Sequence, residues 1–573
     1  MPGLVAEALR QIIAEEKSMP MMPGKIALLE LLKQEGVRVM FGNPGTTELP
    51  LMDAFAAERD IRYVLALQEA PAMGMADGYA QASGQLACVN LHAAPGLGNA
   101  MGMLYDAQKA GAPIIVTAGQ HEQRFNFTEP LLWADLPVVA RPFVKWSEEV
   151  RRLADLPRAI HRAAKTALAP PTGPVFLSLP GDVLTDSEDL DLGHPTRVAS
   201  GLRGDGSAIA AAAQLMARAK SPVIIAGDAV PQSNALAELV AFAEALAAPV
   251  YDEGMATRAM FPSSHPLYRG ALVRLPAAIR GLLDQHDLLV SIGADLFTLS
   301  LPDDVDAMPE GFPIVHLDTN PWELGKNYPE KVAILGDPKA TLPEMTQALL
   351  AARSGEDVTQ RLEHARAEGI SSLARLHANA EALAGRHPIH PLSLMQAVGR
   401  VLPADAVVID ETISSGTGLR RFLKSDDPQS FFGMRGGGIG WGLPAAIGAK
   451  IALPDRPVVA LLGDGSAMYT IQGLWTAARE NLRMVFLIIN NYSYRILKQR
   501  TNAMKGLAAQ TDSYVGMDLD RPRIDFVAVA RGLGVTAHRA GTLAEVCDML
   551  QAALKHDGPT LLDVEVDRSW KPV

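Results

Sequence analysis

Cysteine is almost missing: the 573 residues contain two, Cys88 and Cys547, far apart and each in an apolar stretch. That excludes a disulfide framework, and with no His/Cys cluster at ligand spacing it excludes a structural zinc site. Long hydrophobic runs are missing too. The longest are strand-sized, too short to span a bilayer as a helix. The N-terminus, MPGLVAEALRQIIAEEK, carries acidic residues where a secretory leader needs a basic region, an apolar core and a cleavage site. A reducing, cytoplasmic setting is expected. Positive charge is short as well: Lys+Arg number 52 against 64 Asp+Glu, a formal charge of -12, so nothing advertises nucleic acid or an acidic membrane as partner. Aromatics are only 5%, and a core would have to be built from aliphatic side chains.

What is present is a folding composition, 48% hydrophobic and 20% charged, in a chain long enough for three or four cores. Three stretches repeat one grammar: a short apolar strand, a Gly-rich turn and an Ala/Leu-rich helix, the signature of parallel sheets. The first holds VRVMFGNPG, IRYVLALQE, LACVNLHAAPG and PIIVTAGQ. The second holds SPVIIAGDAV, APVYDEG, DLLVSIGADL and PIVHLDTNP, and the third AVVIDETISS, PVVALLGDGSA, RMVFLIINNYS and PTLLDVEVD. The fold class is therefore α/β, with three doubly wound parallel-sheet domains. Their expected limits are 24–190, 200–350 and 387–573, with a helical linker over 351–386. Residues 1–23 form an N-terminal extension, set off by the helix-breaking MPMMPG. Ligands of such sheets bind beyond the carboxyl ends of the strands.

The most informative segment is Gly463-Asp464-Gly465-Ser466, followed by a helix, a second strand and Asn490-Asn491. The GDGS turn after the strand VVALL offers backbone N–H groups to phosphate oxygens, with a helix opening at about Met468. The next strand brings Asn491 to the same sheet edge. Asp464, the Asn491 amide oxygen and the Ser493 carbonyl make a hard oxygen site that suits Mg2+ completed by phosphate.

GDG followed at this distance by NN resembles the diphosphate motif of the thiamine diphosphate-dependent decarboxylase superfamily. The chain resembles that family, and its benzoylformate decarboxylase branch most, from about Met22 onward. The matching segments are FGNPGTTELP, LALQEAPAMGMADGYAQASG, NLHAAPGLGNAMG, HPLYRG, GGGIGWGLPAAIG and GDGSAMYTIQGLWTAARENL. The resemblance implies an aminopyrimidine-binding, a central and a diphosphate-binding domain, with thiamine diphosphate and Mg2+ as cofactors.

It also implies roles for individual residues. Glu69 matches the glutamate that hydrogen-bonds N1′ of the aminopyrimidine; without the family it reads as an acidic residue favoured at a helix N-terminus. Ile439 matches the bulky residue beneath the cofactor, and the Gly437 carbonyl the acceptor of its 4′-amino group. Gly463, Asp464, Gly465, Ser466 and Asn491 match the diphosphate and metal segment. Thr412 and Ser414 match a second diphosphate turn, although hydroxyls after a strand are often ordinary turn groups. His92 and His265 match a pair directed at substrate, where imidazoles exchange protons near neutral pH. Thr46 takes the place of a serine facing the substrate carboxylate.

The implied activity is decarboxylation of a 2-keto acid to an aldehyde, with carboligation when a second aldehyde intercepts the carbanion. The partners are a small 2-keto acid or aldehyde and further copies of the chain, at least a homodimer and by family habit a homotetramer. Gly433, Gln499 and the basic run Arg495, Lys498, Arg500 depart from the benzoylformate decarboxylase pattern. They keep open a 2-hydroxyacyl-CoA lyase or an acetolactate-synthase-like carboligase, while the basic run reads equally as a solvated helix face. An inactive cofactor-bound scaffold is the alternative outside enzymes.

Overall fold

The computed structural model describes residues 21–299, 304–353 and 358–569. The chain divides into two compact units: one takes the residues up to Ala76 with Gly84–Leu104 and Ala112–Val198, the other takes Asp77–Ser83, Tyr105–Gly111 and everything from Ala199 on.

The first unit is built on a six-stranded parallel sheet in the spatial order Arg62–Leu65, Val39–Gly42, Ala87–Leu91, Ile114–Gln120, Val175–Pro180 and Ser147–Glu149. Ala87–Leu91 and Ile114–Gln120 are buried along their whole length, which is why they read as unbroken apolar runs and not as alternating ones. Val175–Pro180, in PVFLSLP, is a central strand that the sequence reading passes over, because the prolines at both ends resemble loop punctuation. Met21–Pro23 pairs antiparallel with Ser187–Asp189. These three residues therefore belong to the first domain and not to the expected extension 1–23, whose residues 1–20 lie outside the described chain. Proline is tolerated there because the pair stands apart from the main sheet, at an edge.

The second unit holds two more six-stranded parallel sheets. The central one runs Tyr268–Ala271, Val250–Asp252, Pro222–Ala226, Leu288–Ile292, Ile314–Asp318, Val332–Leu335. The other runs Phe431–Gly433, Val407–Glu411, Val458–Gly463, Met484–Asn490, Thr560–Glu565, Thr536–Ala540. Between them in sequence Thr359–Ala382 is a long helix. In this last sheet the register places Gly463 opposite Ile489. Asp464 and Asn491 consequently leave adjacent strands at the same carboxyl edge.

Candidate cofactor site

In the first unit, three strand ends converge. Glu69 opens the helix Glu69–Ser83, is buried, and accepts a hydrogen bond from Asn99 Nδ2 at 3.0 Å. His92 follows the strand Ala87–Leu91. Gly96 separates the two: a Cβ there would stand 3.1 Å from Glu69 Oε1 and 3.4 Å from the His92 Cβ. The ring of His92 is fixed by a residue the sequence reading does not single out. Glu48, 1% exposed, places Oε2 2.8 Å from His92 Nδ1. Its carboxylate is already an acceptor on both oxygens, from Gly45 N at 2.9 Å, Gly119 N at 2.9 Å and Thr47 Oγ1 at 2.6 Å. The proton of the Glu48–His92 bond thus belongs to Nδ1, and a neutral ring keeps its Nε2 lone pair for other work. Thr46 is exposed; the hydroxyl that approaches His92 Nδ1, at 3.2 Å, belongs to its neighbour Thr47. A signal does exist for Glu48, since G-x-x-E is a capping arrangement and the side chain bonds back to Gly45 N.

In the second unit the GDGS helix opens at Asp464, not at Met468. The helix starts at the residue directly after the strand Val458–Gly463, with no turn between them, and Asp464 is buried there. Nearby main-chain N–H groups of Gly465, Tyr492 and Ser493 favour the charged form of Asp464, yet burial pushes it up to about 7 and its Oδ2 has no partner among the described residues. An orphaned carboxylate oxygen in a buried site is what a divalent cation satisfies. Asn491 Oδ1 accepts from Ser493 N at 3.0 Å and Ser493 Oγ at 2.8 Å. The Ser493 carbonyl is left out of the flanking bonds, which use Tyr492 O and Tyr494 N. No group of three His, Cys, Asp or Glu that could hold a metal occurs among the described residues. A cation here would rest on one carboxylate and neutral oxygens, leaving positions for phosphate. Tyr492, between Asn491 and Ser493, adopts φ +52°, with the guanidinium groups of Arg523 and Arg568 over its ring at 4.5 and 4.4 Å.

Two further segments border this edge. In the turn after Val407–Glu411, Thr412 Oγ1 donates to Asp410 Oδ1 at 2.7 Å, so its hydroxyl is engaged locally and offers a lone pair outward. Thr412, Ile413 and Ser414 line a cavity of about 530 Å³ together with Met255, Gly433 and Met434. The loop 436–442 follows the strand Phe431–Gly433, a strand the sequence reading does not expect before it. Gly437 has φ +86°, and Ile439 is half-buried. Glu411 accepts from Gly440 N at 2.5 Å and Gly442 N at 2.6 Å and bonds the Ser466 hydroxyl. One carboxyl group thereby ties the end of the strand Val407–Glu411, the glycine loop and the GDGS helix together. Burial raises it to about 7.

His265 does not take the place expected of it. Its Nδ1 accepts from Leu267 N at 3.2 Å, its Nε2 lies 3.4 Å from Glu244, and its ring packs edge-on against Phe261 at 5.2 Å. Both nitrogens are engaged within the central domain, burial lowers its pKa, and it is not among the residues lining the 530 Å³ cavity. Its contacts are those of a structural histidine. Lys498 is paired with Asp518, and Arg495 reaches the carbonyls of Ser414 and Asp567 at 3.3 Å each. His265→Gln is accordingly expected to keep turnover within a few-fold of the parent, while His92→Ala loses about 10²-fold or more, as for a positioned acid–base group. Steady-state kinetics on the two variants decide it.

Fold and site together define an enzyme that holds a thiamine coenzyme through its diphosphate. The chain belongs to the thiamine pyrophosphate enzyme family: residues 22–130 match its N-terminal TPP binding domain, 209–345 its central domain and 414–564 its C-terminal TPP binding domain. It is 35% identical to the benzoylformate decarboxylase of Pseudomonas aeruginosa over 94% of this chain and 98% of that protein. The acetolactate synthase large subunit of Corynebacterium glutamicum is 29% identical over 98% of this chain and 89% of its own. Among solved structures, a thiamine diphosphate-dependent 4-hydroxybenzoylformate decarboxylase of Rhodococcus jostii RHA1 superposes with TM-score 0.82 at 30% identity, covering 96% of this chain and all of that one. The benzoylformate decarboxylase of Polynucleobacter necessarius gives TM-score 0.84 at 30% identity with the same coverage. No helix among the described residues is long and apolar enough to cross a membrane.

Proposed function

We propose that the chain decarboxylates a 2-keto acid to the aldehyde, with carboligation as a side reaction, using thiamine diphosphate and Mg2+ in a homodimer or a tetramer built from it. The observation that carries this reading is His92, oriented by buried Glu48 beside Glu69. Aldehyde release would need one proton delivered to carbon and one taken from a hydroxyl; with Nδ1 pinned, Nε2 can give a proton when the ring is charged and take one back once it is neutral, so the two transfers balance on one atom.

The coenzyme, when bound, supplies an electron sink for the carbanion that no amino-acid side chain provides. The remaining work falls to the chain. Asp464, Asn491 and the Ser493 carbonyl hold the metal. Amides of the Gly463–Ser466 turn and the Ser414 hydroxyl take the phosphate oxygens, and Thr412 joins them once its hydroxyl turns its proton away from Asp410. Ile439 and the Gly437 carbonyl orient the rings, Glu69 holds a proton at the pyrimidine nitrogen, and Thr46 faces the substrate carboxylate.

An acetolactate-synthase-like carboligase is the second reading, favoured by the relatives of that name and by Gly433, which leaves the cavity wall without a side chain. The acyl-CoA lyase reading loses support with Lys498 in an ion pair and Arg495 on main-chain carbonyls. Purified protein with thiamine diphosphate, Mg2+ and a panel of aryl and alkyl 2-keto acids is expected to release CO₂ with stoichiometric aldehyde from at least one acid. CO₂ accompanied by a 2-hydroxy-2-methyl-3-keto acid and no aldehyde supports the second reading and overturns the first.

A further inference from the structure

The carboxyl edge of the central sheet is where an open α/β domain receives a ligand. Here three adjacent strands end on acids: Asp228 after Pro222–Ala226, Glu253 after Val250–Asp252, and Asp295 after Leu288–Ile292. All three face one guanidinium. Arg435 Nε lies 3.3 Å from Asp228 Oδ2, Nη2 2.8 Å from Asp295 Oδ2, and Nη1 touches Glu253 Oε1 and donates to the Met255 carbonyl at 2.5 Å. Only 10% of the Arg435 side chain is exposed. The space left beside the cluster is about 20 Å³, room for a water molecule and not for a nucleotide.

Arg435 directly precedes the glycine loop 436–442. That loop is also held further along: Gly438 N donates to Asp106 at 3.0 Å, Trp441 Nε1 to Asp77 at 2.6 Å, Gly440 N and Gly442 N to Glu411, and Thr470 Oγ1 donates to the Gly440 carbonyl at 2.6 Å. Closeness is obligatory, because a Cβ on Gly436 would stand 2.1 Å from Asp106 Oδ1. We infer that Arg435 is the built-in ligand of the central domain: it fills the crevice in place of a nucleotide, and through it this domain positions the loop that carries Gly437 and Ile439. Arg435 is thus a positioning residue, acting on the coenzyme rings through the backbone that comes after it.

The inference rests on the proposed coenzyme site, and the test separates the two. Arg435→Met alone strands two buried carboxyl groups, Asp228 and Glu253, and a partly buried third, Asp295, and endangers folding. The informative protein is therefore the quadruple variant Asp228→Asn, Glu253→Gln, Asp295→Asn, Arg435→Met, which removes the whole charged set at near-constant volume. Isothermal calorimetry with thiamine diphosphate and Mg2+ is run on parent and variant, beside hydrogen exchange of the 436–442 amides and a titration with ATP, ADP, FAD and NAD. The expected result is a folded variant with faster exchange in the loop, at least tenfold weaker thiamine diphosphate binding, and no nucleotide binding by the parent. Parent-like coenzyme affinity and loop protection in the variant, or nucleotide uptake by the parent, overturns the inference. Failure of the parent itself to bind thiamine diphosphate overturns the site reading instead. Should the quadruple variant not fold, Arg435→Lys serves: it keeps the charge but not the three-way fork, and it must show the same loosened loop and weakened binding.

Discussion

Glu69→Gln is expected to leave thiamine diphosphate bound and to reduce turnover by about 10²–10⁴-fold, the contribution of a positioned acid–base group. Glutamine fills the same volume at the mouth of the helix Glu69–Ser83 and can keep a hydrogen bond to Asn99, whose Nδ2 lies 3.0 Å from Glu69 Oε2. What it loses is the exchangeable proton. Affinity and rate must therefore part company, which calorimetry and a single-turnover CO₂ assay on one preparation can read. Parent-like turnover refutes the assignment. Glu48→Gln obeys the same logic one step removed: the carboxylate that fixes the His92 tautomer becomes an amide, so the ring can turn while the fold stays intact.

Asp464→Ala is the second large effect, and it acts on affinity instead of rate. The carboxylate is the only charged ligand in the set with Asn491 and Ser493, and its Oδ2 has no partner to lose among the described residues. Changes to residues that merely support a metal ligand cost about 10–100-fold in metal affinity, so removing the ligand itself is expected to exceed roughly 100-fold. The metal-free chain should be little harmed, because Oδ2 has no partner to lose and the Tyr492 and Ser493 N–H groups keep the Asn490 and Asn491 side-chain oxygens as acceptors. The signature is a variant with an unchanged apo melting temperature whose rise on adding thiamine diphosphate and Mg2+ has vanished. Retention of that rise contradicts the ligand assignment.

The three sheets are legible in the sequence because their strands are buried on both faces and so appear as runs such as VVALL and MVFLIIN, which periodicity detects without help. Strands that escape, Val175–Pro180 and Val332–Leu335 among them, are bounded by proline or are short, and only pairing with a neighbour identifies them. At the site the pattern is uneven for a physical reason. Asp464 and Asn491 stand out because their spacing is set by one strand–helix–strand unit, a local quantity. Glu48, Glu411 and Arg435 do not, since each acts on groups brought near by tertiary packing. His265 is misplaced by the same shortfall: a histidine in a matching segment says nothing of Glu244 and Leu267, the neighbours that occupy its nitrogens.

The short ribbon of Met21–Pro23 against Ser187–Asp189, with Gly24 N bonded to Asp186 O at 3.0 Å, brings the entry and exit of the first domain side by side. During synthesis this seam cannot close until residue 189 has left the ribosome, so the first domain is sealed last at its own beginning. A protein tag placed immediately before Met21 would press on that seam, whereas one fused well upstream would not.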